Sequence, residues 1–122
     1  MDPSQTRDML MARMAEQDAR SPLEKVRELL DSHVVDTDGW DEIHDELRMT
    51  ARHSTRLLRQ GLEAIDAVVG AELPPGTLLR MVAGEAGKSL DHDPTDAGAA
   101  AFLLELARVI RSVLDESTTA NR

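Results

Sequence analysis

Apolar residues recur at helical intervals through most of this chain, and polar breaks divide it into six stretches. The clearest run is Leu58, Leu62, Ile65 and Val69, spaced i, i+4, i+7 and i+11, which predicts a helix from about Ser54 to a stop at Gly70. Upstream, "SPLE" is a helix start: Ser21 as N-cap, Pro22 in the first turn and Glu24 as the capping-box acid. Leu23, Val26, Leu29 and Leu30 then supply one face, and the helix should end near "SHVVDTDG", where β-branched and turn residues gather. Asp38 is placed to cap a third helix whose inner face is Trp40, Ile43 and Leu47. Pro74 and Pro75 suit the entry of a further helix with Leu78, Leu79, Val82 and Ala86 inward, closed by Gly87.

The last helix is predicted from about Thr95 to Asp115. Phe102, Leu103, Leu106, Val109, Ile110, Val113 and Leu114 make its wide apolar stripe, which should place it centrally in the core. Residues 117–122 read as a polar tail. A first helix over 4–19 has only Leu10, Met11 and Met14 as an apolar face, which predicts loose docking. The expectation is an all-α protein, a compact bundle of five to six helices in one domain over 1–122.

Composition supports that class. Trp40 and Phe102 are the only aromatics among 122 residues, whereas the helix formers Ala, Leu, Met, Glu and Arg abound. The lack of aromatics argues against a surface that stacks on single-stranded nucleic acid. Without cysteine there are no disulfides or thiolate metal sites. No window has the run of roughly 20 apolar residues that spans a membrane, and the charged start is unlike a secretory leader, so a cytoplasmic protein is expected.

The net charge is −9, which repels nucleic acid and anionic lipid and attracts basic partners. The charge is uneven. Eight acids and no Lys or Arg lie between Arg27 and Arg48, and six of them cluster tightly: Asp36, Asp38, Asp41, Glu42, Asp45 and Glu46. Such a run is often only a solvated face. It is also the composition of a docking surface for a basic protein, where charge steers the encounter and apolar anchors supply affinity. Trp40 lies within this run, as a core residue by its register with Ile43 and Leu47 or as a partly exposed anchor.

Three motifs invite other chemistry. "GEAGKS" ends like a phosphate loop, but Val82 stands where the first glycine belongs, and the segment closes a helix instead of opening one. Asp91, His92 and Asp93 offer metal-ligand atoms, yet adjacent residues seldom converge on one ion, and Asp93-Pro94-Thr95-Asp96 is equally a helix-entry turn with Thr95 or Asp93 as cap. "DTDGWDEIHDEL" places Asp36 and Asp38 as in a calcium loop, but Asp41 replaces the required glycine and Leu47 the bidentate glutamate. His33, His44 and His53 share no ligand spacing. Neither a cofactor nor a catalytic constellation is predicted, so the expectation is a protein that is not an enzyme.

The order of features over residues 23–113 resembles the small all-helical immunity proteins of bacterial contact-dependent growth inhibition systems. Trp40-Asp41-Glu42-Ile43, Gly87, Asp93-Pro94 and Phe102-Leu103 carry the resemblance. The chain departs from that pattern at Val34-Val35 and at Leu90-Asp91-His92, where the family has aromatics. The resemblance implies a protein that binds and blocks a cognate toxin, often a nuclease; a monomer or weak homodimer is expected. The acidic run suits such a partner independently, because a surface that grips phosphate is basic. The alternative is a small acidic helical regulator or oligomerising adaptor, with the last helix buried between copies.

Overall fold

The computed structural model describes residues 21–90 and 92–120. The stretch expected as a first helix over 4–19 lies outside the described residues, as does Asp91. Among the described residues there are five α-helices: α1 Pro22–His33, α2 Trp40–His53, α3 Arg56–Gly70, the short α4 Thr77–Leu79, and α5 Asp96–Ala120. A π-helical segment, Arg80–Glu85, continues directly from α4. No strand occurs among the described residues.

The long α5 organises the packing. It lies against α2, α3 and α4, while α1 packs mainly on α3. Leu103, Leu106 and Ile110 of α5 are fully buried, and they share one core with Ile43 and Leu47, Leu58 and Ile65, and Val26 and Leu30. The helix runs on past Asp115, the end expected from its apolar stripe. Its last turns are polar but held: Arg48 of α2 donates two hydrogen bonds to the Glu116 carboxylate, at 2.9 and 3.2 Å.

In α3 the buried face is rotated from the expected one. Leu58 and Ile65 are buried as predicted, but Gly61, Ala64 and Val68 complete the face, and Leu62 and Val69 are only half-buried. The reason is close packing with α1. A Cβ on Gly61 would sit 3.1 Å from Leu29 Cδ2, so the small residues mark the side on which the two helices approach.

The two prolines form a turn rather than the first turn of a helix. Gly76 has φ 86° and ψ −4°, the values of the third position of a type II turn, and Thr77 N–H donates to Pro74 O at 3.2 Å. Only glycine takes that φ without strain. The following helix widens to π register, so that Ala86 N–H donates to Met81 O, five residues back. This spacing brings Met81, Val82 and Ala86 into the core together, where Leu79 had been expected and is half-buried. Gly87, at φ 66°, ends the segment as predicted.

Candidate functional site

The acidic surface begins where α1 stops. The β-branched pair Val34-Val35 leaves helical geometry, and both amides still donate to Leu30 O. Val34 is fully buried and anchors the loop. Thr37 turns back on it, its hydroxyl donating to Val34 O at 2.6 Å. Lys88 then reaches across from the segment after Gly87, its ammonium donating to the backbone carbonyl of Thr37 and to Thr37 Oγ1 at 3.1 Å. The lysine of the phosphate-loop look-alike therefore holds the acidic loop in place, a long-range role that no local motif announces.

Asp38 does not cap α2. The N-cap is Gly39, without a side-chain cap bond, and the Asp38 amide instead donates to Glu42 Oε2 at 3.1 Å. Extended backbone at Gly39 carries the chain into the helix, so the Asp38 carboxylate is one residue too early to accept from the first-turn amides. Asp41 and Glu42 stand in that first turn, where the helix dipole favours negative charge.

All six predicted residues, Asp36, Asp38, Asp41, Glu42, Asp45 and Glu46, are exposed. The four on α2 share one side. At about 100° per residue, Asp41, Asp45, Glu42 and Glu46 span an arc opposite Ile43 and Leu47. On the same side, about one turn beyond the arc and next to Arg52 and His53, stands Met49, which sequence reasoning passed over. It is 57% exposed, the most open large apolar side chain among the described residues. Its sequence signal was an apolar residue three and four places after Glu46 and Asp45, out of register with the core.

Trp40 belongs to neither alternative alone. It is half-buried and packs against the core, its ring 5.0 Å from that of Phe102 and tilted by 32°. The two aromatics tie the start of α2 to α5 and so orient the acidic arc. At the other end of the arc, Arg48 and His44 lean on Glu116, whose carboxyl the Arg48 hydrogen bond holds below its ordinary value.

Beside the arc, a shallow groove of about 170 Å³ runs between α1 and α3, bordered by Lys25, Glu28, His33, Leu57, Gln60 and Gly61. Burial pushes the His33 imidazole below its usual value, and the Glu46 carboxylate pulls it the other way.

The stretch from Asp93 to Asp96 is arranged as a helix entry. Asp93 Oδ1 accepts from the Thr95 hydroxyl at 2.6 Å, and Thr95 Oγ1 accepts from the Gly98 amide at 3.2 Å, which makes Thr95 the cap of α5. No group of three or more His, Asp or Glu residues suited to a metal ion occurs among the described residues. No helix among them is long and apolar enough to cross a membrane. No protein-family model matches the chain, and neither a curated protein nor a solved structure gives a significant match.

Proposed function

We propose that this chain is a cytoplasmic immunity protein that neutralises a cognate, basic toxin domain, a nuclease being the kind of toxin whose surface fits best, by docking on it through the α1–α2 loop and the outer face of α2. The observation that carries this reading is the exposed arc of Asp41, Glu42, Asp45 and Glu46, with the exposed Met49 at its C-terminal edge, beyond which α2 turns basic at Arg52 and His53. An exposed apolar side chain at the edge of a cluster of like charge has the elements of a binding patch: the apolar group loses water on contact, and the charges steer and orient the partner. Inhibition is by occlusion, without chemistry on the part of this chain. The acids compete for the cationic surface that would otherwise hold phosphate.

The test first asks whether a large secreted protein is encoded directly upstream of this gene, and then takes the C-terminal domain of that protein as the binding partner. Binding is expected to be tight, with an association rate that falls steeply with salt. Charge reversal at Asp36 and Asp45 should slow association by about tenfold or more. Unchanged association and full protection of cells by that variant would exclude docking through the acidic face.

A further inference from the structure

His33 is the last residue of α1 and borders the groove between α1 and α3. Its Nδ1 atom is buried and has no hydrogen-bond partner among the described residues. A neutral imidazole can leave that nitrogen as a bare lone pair at modest cost. An imidazolium cannot, because both nitrogens then carry protons and a buried N–H without an acceptor bears the full loss of its hydration. We infer that His33 is a proton-linked latch on the contact between α1 and α3: neutral, its ring stays folded into the groove wall; protonated, it swings out and frees the end of α1.

The charged groups around the ring bear on whether the latch can work. From α2, Glu46 faces it and favours the cation. From α1 itself, Lys25 and Glu28 border the groove with opposite charges. The α3 side contributes Leu57, Gln60 and Gly61, none of them charged. The C-terminal end of α1 also favours a cation. Burial outweighs these attractions, and the imidazole titrates below its ordinary value. The sign follows. Below about pH 6.5 the unfolded chain takes up a proton that the closed state refuses. The contribution of the closed ring is therefore complete above that value and is lost as pH falls through the window beneath it. Once released, the imidazolium lies near Glu46, so acid also reduces the charge of the arc at its α1 side. The latch itself does not depend on which partner the arc takes.

The experiment is an NMR titration of the imidazoles in the full chain, with amide exchange measured at pH 7.5 and 5.5 and corrected for intrinsic rates. His33 should titrate below 6.5, and still lower in Glu46→Gln. Protection of the Val34 and Val35 amides should fall several-fold at the lower pH while that of Leu106 and Ile110 holds. In His33→Gln, or in His33→Leu if the glutamine variant folds poorly, this selective loss should vanish. Titration of His33 at or above 6.5, a uniform loss of protection, or a selective loss that persists in both variants would each overturn the latch.

Discussion

Asp96 of α5 and the pair Asp41 and Glu42 of α2 stand in the first turns of helices, yet their oxygens face different partners. The Asp96 carboxylate accepts from the Gly76 amide at 2.7 Å and the Leu79 amide at 3.0 Å, so one side chain at the start of α5 caps the start of α4, twenty residues upstream. Those bonds, first the one from Gly76 and then the one from Leu79, hold its carboxyl below the ordinary range. Among the described residues the acids of the arc make no comparable link to another helix start. Glu42 bonds its neighbour Asp38 and Asp45 lies 3.9 Å from Arg48, both local contacts at the surface. One carboxylate is committed to the fold, and the others are presented to solvent. Charge density alone does not separate these cases; the direction of the carboxylate oxygens does.

The largest test strikes the support of Asp96. A Cβ on Gly98 would lie 1.9 Å from the carbonyl oxygen of Asp93, an atom of the backbone that cannot step aside. Gly98→Ala should therefore cost at least ~2 kcal/mol in denaturant unfolding, by displacing the first turn of α5 on which Asp96 sits. Next comes Asp96→Asn, which should lower the melting temperature and flatten the acid limb of stability. The sign is that of a depressed carboxylate: its contribution is present above the ordinary carboxylate value and lost as pH falls through the lowered one. A variant whose acid limb matched that of the parent would remove Asp96 from its role.

Smaller effects sharpen the other side. Asp41→Lys with Glu42→Lys should cost about 1 kcal/mol, because both acids lie in the first turn of α2 and complement its dipole. Asp36→Lys with Asp45→Lys lies outside that turn and should change stability by no more than ~0.5 kcal/mol. The second pair is thus the cleaner probe of binding. A larger loss of stability from it would mean that the arc supports the fold as Asp96 does. Smallest of all in stability is Met49→Ala, within about 0.5 kcal/mol by thermal melting, since the side chain is open to water. Its effect should appear only in the dissociation rate of a complex.

Much of this was legible in the residues. Ser21 caps α1 as its position indicates, accepting from the Glu24 amide at 3.3 Å, and the stripe of α5 is central to the core. Local rules suffice for these features because the partners are three or four residues apart. The exposed acids of α2 were legible for the same reason: Ile43 and Leu47 fix which side of the helix turns inward. The rotated face of α3 was not, because Leu62 is as apolar as Leu58 and only the approach of Leu29 to Gly61 chooses between them.

By itself, then, the sequence determined the helical class, the order of the long helices and the side of α2 that carries negative charge, since each follows from spacing within a few turns. Tertiary structure alone decided the rest. It assigned Lys88 to Thr37 across 51 positions and Asp96 to the amides of Gly76 and Leu79, and it put Trp40 on Phe102. It also left Met49 open at the edge of the acidic arc and the His33 ring closed against its groove. A side chain's hydrogen-bonding capacity is written in its residue type, but its distant partner is set only when the helices have packed and brought the two groups within bonding reach.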